Sequence, residues 1–224
     1  MTILHRIALW RDEAGAVFAE FAILLPVIVL VLGGSIDFLY AFYQWNAAVK
    51  AVEVGARIAA VSDPVALGLN QFTNQALFNG AVPGTTMPAF IVTCKDGSCS
   101  CVGACAGLVQ NSFDERAMDR IVFGRGLDKK ACGRAKPYYM TGMCDLLPAI
   151  TPANLVVLYK QTGLGYAGRP GGPVPTIEVS LTGMQFQFFF LNSLLGVHIA
   201  MPTITTTMTA EDLCSSVGTI ACGS

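Results

Sequence analysis

From Ala16 to Ile36 the chain reads AVFAEFAILLPVIVLVLGGSI, a run of apolar and small residues with a single charged side chain, Glu20. A helix of about 20 such residues, rising about 1.5 Å per residue, crosses a hydrocarbon core of about 30 Å. The pattern therefore predicts a membrane span. No proline follows Pro26 until Pro64, and Phe38, Phe42, Trp45, Val49, Val52, Ala56 and Ala59 continue at helical spacing. A helix running to about Val61 would be on the order of 70 Å long, more than one crossing needs, so its second half is expected outside the bilayer. Tyr40, Tyr43 and Trp45 fall where an interfacial aromatic belt belongs, and Asp63-Pro64 supplies a stop.

Beyond the helix the pattern changes. Between Val65 and Phe90, residues such as Asn70, Gly80, Pro83, Gly84 and Pro88 punctuate a connector with room for one short helix. Ser112-x-x-Glu115 has the form of a capping box, and Phe113, Ala117, Met118, Ile121 and Val122 then share one face of a short helix ending at Gly124 or Gly126. Three strands are expected after it. Leu155–Lys160 is apolar on both faces, Thr176–Thr182 alternates with Ile177, Val179 and Leu181 on one side, and Thr203–Thr209 carries Ile204 and Met208 on its apolar side. GYAGRPGGPVP forms the first connection, flexible by composition. The second holds Phe186, Phe188, Phe189, Phe190, Leu191, Leu194 and Leu195, interrupted by Gln187, Asn192, Ser193 and His198, which makes it unsuited to a second span. It is either a short helix filling the core over the sheet or an exposed apolar patch that docks a neighbouring subunit or the membrane surface. The fold class expected is α+β: a long N-terminal transmembrane helix, then a small disulfide-rich domain with a short antiparallel sheet packed under the helix.

Composition agrees with one anchor and one modest domain. Of 224 residues, 53% are hydrophobic and 13% charged, too apolar for an ordinary soluble domain. A net charge of -1 with no Lys/Arg-rich run excludes nucleic acid as a partner on electrostatic grounds. All eight cysteines, Cys94, Cys99, Cys101, Cys105, Cys132, Cys144, Cys214 and Cys222, lie C-terminal to the apolar run. Their even number and one-sidedness point to disulfides formed outside the cytoplasm. This orients the chain more firmly than Arg6 and Arg11 before the span against Lys50 and Arg57 after it. Proximity suggests Cys132 with Cys144 and Cys214 with Cys222; the former closes a loop of about 13 residues, worth about 3 kcal/mol in the chain-entropy treatment.

Candidate chemistry is sparse. The spacing C-x4-C-x-C-x3-C of the first cysteine cluster, with no histidine nearby, does not match a zinc site, so no metal is expected. His5 precedes the span and His198 stands in an apolar run without a partner for nucleophilic catalysis, which favours a structural histidine. No GxxxxGK[ST] phosphate loop and no carboxylate pair stand out. The chain does not read as an enzyme, and no cofactor is implied.

Two features set the anchor apart from a secretory signal peptide: no A-x-A-type site closes the apolar run, and an acidic residue stands just inside it. Gly15-Ala16-Val17-Phe18-Ala19-Glu20-Phe21 resembles the processing site of type IV prepilin-like proteins, cut by a prepilin peptidase after the glycine, with a glutamate fifth in the mature chain. Ala14 and Ala19 stand where such sites often carry a basic residue and a valine. The continuation FAILLPVIVLVLGGSIDFLYAFYQ and then EVGARIAAVSDP is similar to TadE-like pseudopilins of tight-adherence (Tad, Flp-type) pilus systems, and ITPANLVVLYKQTGLGYAGRPGGPVPTIEVSLTG with TTTMTAEDL resembles members with longer periplasmic domains. The resemblance implies a prepilin-like leader at 1–15, a transmembrane and extended helix at 16–63 and a periplasmic disulfide-rich domain at 64–224. It assigns leader cleavage to Gly15 and Ala16, and assembly to Glu20, Asp37 of the IDF segment, and Gly55 and Arg57 of the GAR element. Implied partners are the prepilin peptidase, other Tad-type pseudopilins and pilin subunits, the inner-membrane assembly platform and the lipid bilayer. Residues alone leave other readings for four sites: Glu20 as a carboxylate snorkelling to the headgroups, Asp37 as a marker of the end of the hydrocarbon, Gly55 as a close-packing residue and Arg57 as an exposed base. The competing functions are a membrane-tethered disulfide-rich binding module with no pilus role and, more remotely, a thiol oxidoreductase, for which a CxxC is missing.

Overall fold

A computed structural model describes residues 13–69, 82–104, 112–124, 132, 140–161, 163–169, 173–196, 198–210 and 213. Helix α1, Glu13–Ala60, is 48 residues of unbroken α-helix. Pro26 removes one N–H from its ladder without ending it. From Val17 to Leu32 every side chain is exposed, and only 6% of the most apolar 18-residue window, at mean hydropathy 2.5, is buried within the chain. A helix apolar all round and exposed among the described residues has the length and composition of a bilayer span. Among the described residues it is one helix of this kind.

The chain forms two compact units. One holds Gln44–Gln185 and the chain from Ala200 onward; the other combines α1 up to Tyr43 with Phe186–Ile199. The first is built on a five-stranded antiparallel sheet with order β2-β1-β3-β4-β5: β1 Phe90–Lys95, β2 Ser98–Gly103, β3 Leu155–Lys160, β4 Thr176–Leu181 and β5 Ile204–Thr209. The α+β arrangement expected from the sequence is therefore present, with two strands more than the pattern predicted. The extra pair is a hairpin closed by Asp96 and Gly97, both at positive φ, the two-residue turn whose twist suits antiparallel strands. Cys94 and Cys99 face each other across it and are disulfide-bonded.

One face of the sheet is dry. Phe90, Val92 and Cys94 of β1, Leu155, Val157 and Tyr159 of β3, and Ile177, Val179 and Leu181 of β4 are buried. Fully burying an aliphatic or aromatic side chain is worth about 1.5–3 kcal/mol, so these alternating positions supply the sheet's main driving force. β3, expected to be buried on both faces, is buried on one: Val156 and Leu158 are half-exposed and Lys160 is exposed. A central position in the sheet satisfies its backbone without covering its second face.

Helix α2, Glu115–Phe123, buries Ala117, Met118, Ile121 and Val122 as its periodicity predicted. Its cap is Asp114 rather than Ser112: the Asp114 carboxylate accepts the N–H groups of Arg116 and Ala117, while the Ser112 hydroxyl donates to the Leu67 carbonyl. The chain leaving α1 is tied to this region. Val65 N–H donates to the Tyr159 hydroxyl at 2.9 Å, Asp114 N–H donates to the Val65 carbonyl at 2.7 Å, and Arg120 pairs with Asp63 at 3.0 Å. Burial, opposed by the Val65 N–H and reinforced by Asp114, pushes the Tyr159 hydroxyl's pKa up.

In the second unit the run that could have filled the core over the sheet leaves apolar side chains exposed instead. It forms a six-residue helix, α3 (Phe190–Leu195), that packs with the N-terminal part of α1, and Phe189, Phe190 and Leu194 stay exposed.

Candidate functional site

Each residue implicated at the start of the chain lies on α1. Gly15 is exposed, and the helix passes through it without a break. Glu20 is exposed on a surface otherwise made of Val17, Phe18, Phe21, Ile23 and Leu24, and makes no hydrogen bond or ion pair among the described residues. A bare carboxylate surrounded by apolar surface is costly in a bilayer unless a partner arrives.

Asp37 is placed quite differently. Its side chain has 0% exposure and its two oxygens accept three consecutive backbone N–H groups: Phe189 on Oδ1 at 2.8 Å, and Phe190 and Leu191 on Oδ2 at 2.9 and 2.7 Å. The first N–H groups of a helix have no partner within it, and a carboxylate at that end also matches the helix dipole. Asp37 thus caps α3 from 152 residues away in sequence. One turn earlier, Gly33 is buried, and a Cβ there would lie 2.9 Å from Phe190 Cγ. Three residues after Asp37, the Tyr40 ring meets Phe189 at a centroid distance of 5.0 Å. The carboxylate is not a marker on the surface: Gly33, Asp37 and Tyr40 form one stripe that receives the 189–191 backbone and its rings. Sequence reasoning missed Gly33 and the partner segment, since a contact across 152 residues leaves no local periodicity to read.

Gly55 and Arg57 separate in role. Gly55 is buried, and a Cβ on it would lie 2.5 Å from Met143 Sδ and 3.4 Å from Ile121 Cγ2, so a glycine here lets the turn at Met143–Asp145 and α2 approach α1 closely. Arg57 is exposed. Glu20 and Asp37, 17 residues apart on one helix, stand about 26 Å from each other, so the implicated residues do not converge on one centre.

Of the cysteines, Cys94 is bonded to Cys99, Cys132 to Cys144, and Cys101 is itself in a disulfide. Cys105, Cys214 and Cys222 lie outside the described residues, so the pairing suggested for the last two does as well. His198 is exposed, contrary to the expectation of a histidine satisfied in a structural position. His5 is outside the described residues. Among the described residues no group of three His, Cys, Asp or Glu side chains gathers where a metal ion could be held.

Residues 15–57 match a protein-family model described as TadE-like protein, as the sequence resemblance anticipated. The matched segment starts at Gly15 and contains Glu20, Gly33, Asp37, Gly55 and Arg57; the sheet and α3 lie beyond it. No curated protein and no solved structure matches the chain.

Proposed function

Taking the TadE-like match as premise, which associates the chain with Tad pili, we propose that it is a minor pseudopilin acting in assembly of a tight-adherence (Flp-type) pilus. In this reading the chain is held in the bacterial inner membrane by α1, with its N-terminus cytoplasmic and its disulfide-bonded domain periplasmic. A prepilin peptidase removes the first 15 residues, and the mature chain starts at Ala16. The observation that carries the reading is the placement of Glu20 in the matched segment, exposed on an apolar helix whose outer surface is uncovered among the described residues.

Cleavage after Gly15 releases a cationic amine at Ala16, four residues before Glu20 and so about one helical turn from it. The two charges neutralise each other within one chain or, during assembly, between neighbours; a charge left alone in an apolar setting costs several kcal/mol, which drives the search for a partner. The exposed flank of α1 then offers Phe18, Phe21, Leu25 and Leu32 to pilin subunits, to other pseudopilins or to the assembly platform. No step in this reading calls for catalysis by the chain itself.

Glu20→Ala removes the carboxylate while keeping helix propensity. The expected outcome is normal membrane insertion and leader removal with loss of surface pili, checked by fractionation, mass spectrometry and electron microscopy of the cells. Normal piliation by Glu20→Ala would refute the assembly role.

A further inference from the structure

We propose that the loop Phe186–Ile199 is a second membrane-embedded element, immersed in the outer leaflet beside α1 and locked there by Asp37; the inference rests on α1 spanning the bilayer. Three observations carry it. First, 186–199 contains no Asp, Glu, Lys or Arg, and Phe189, Phe190 and Leu194 face outward, Phe189 62% and Leu194 69% exposed. Second, the helix inside it is capped by protein groups at both ends. Asp37 takes the N–H groups of Phe189, Phe190 and Leu191, and at the other end the Gly196 N–H, on a residue at φ 61°, reaches the carbonyls of Asn192 and Leu191. Phe186 N–H donates to the Ile199 carbonyl at 2.9 Å and closes the neck. In water such groups are solvated freely; in hydrocarbon irregular backbone is tolerated only when its polar groups are met within the protein.

Third, burying Asp37 changes the outside of α1. With that carboxylate hidden, the exposed surface from Phe21 to Tyr43 shows no charge, and Phe38, Leu39, Phe42 and Tyr43 all point outward. Those 23 positions span about 35 Å at about 1.5 Å per residue, enough for the whole hydrocarbon core. The apolar belt therefore does not stop at Ile36, where the bare sequence ends it. It continues past Asp37 at the level where the loop packs against Gly33 and Tyr40, and the loop's exposed rings extend the same lipid-facing surface.

The test uses the full chain with Trp10 and Trp45 replaced by Phe, reconstituted in phosphatidylethanolamine/phosphatidylglycerol vesicles with a fraction of acyl-chain-brominated phosphatidylcholine. Single tryptophans are placed at Leu30→Trp on the span and Leu194→Trp on the loop. Both are expected to emit in the blue and to lose much of that emission to the brominated lipid. Asp37→Ala in the Leu194→Trp background is expected to restore most of it. A quenched Leu30→Trp beside a red, unquenched Leu194→Trp would overturn the proposal and leave the anchor standing. A blue but unquenched Leu194→Trp would also overturn it, in favour of a protein neighbour covering the loop. Two unquenched probes would remove the span and this proposal with it, and unchanged quenching in Asp37→Ala would overturn the locking role.

Discussion

Two buried glycines show how one methyl group can have unequal consequences. At Gly55 the nearest obstacle to a Cβ is the flexible end of Met143, and alanine gains about 1 kcal/mol of helix propensity over glycine. At Gly142 the obstacles are backbone: the Val122 carbonyl oxygen at 2.5 Å, the Phe123 carbonyl carbon, and the Gly124 nitrogen. Gly142 has φ −90°, so space alone, and not backbone conformation, demands a glycine there. Gly55→Ala is expected to cost less than Gly142→Ala, which should cost at least about 1–3 kcal/mol, because backbone cannot move aside as a methionine side chain can. Chemical denaturation of the two variants in detergent checks the contrast; equal midpoints would contradict it. Only Gly55 could be suspected from the sequence, within its GAR element. Gly142 sits in a turn-rich stretch where one more glycine attracts no notice, since nothing local reports that another backbone segment crosses over it.

Legibility of the elements follows from how local their causes are. α1 could be read because an apolar run of that length has few other outcomes, and β4 because Ile177, Val179 and Leu181 alternate strictly with polar residues. The β1–β2 hairpin was missed although Asp96-Gly97 is a turn signal, because Ser98, Ser100 and the cysteines of β2 have weak strand character and read as a disulfide cluster. The cap of α2 was displaced by two residues, since Ser112 and Asp114 are both capping residue types and only the backbone path, on which Asp114 N–H meets the Val65 carbonyl, selects Asp114. That path also involves Tyr159. Because burial raises its pKa above the value of about 10 in an unfolded chain, the unfolded state loses this proton first. The contribution is fully present below about pH 10 and is lost as pH rises further. Tyr159→Phe should cost about 1–3 kcal/mol near neutrality by leaving the buried Val65 N–H without an acceptor. Its deficit relative to the natural chain should then shrink between about pH 9 and about pH 11. A constant deficit in denaturation midpoints across that range would contradict this account.

At the scale of the whole molecule, the chain is partitioned by what surrounds each part of α1. Among the described residues Val17–Leu32 is exposed throughout, Gly33–Tyr40 receives a loop from far along the sequence, and Ala48–Ala60 contributes to the core of the sheet-bearing unit. The first and last of these were legible, the first from hydropathy and the last from small residues at helical spacing. The middle one was not, since Asp37 and the 189–191 backbone are joined only in three dimensions. Such a division suits a protein that must stay in a bilayer, present a bare helix to partners and keep a crosslinked domain outside. The central claim is that proteolysis after Gly15 gives this helix a new amine one turn from Glu20. Intact-mass spectrometry of the protein extracted from native membranes, before and after reduction, tests it most directly. The account predicts a chain beginning at Ala16, with a mass gain on reduction that registers the disulfides; a mature chain that still begins at Met1 would contradict it.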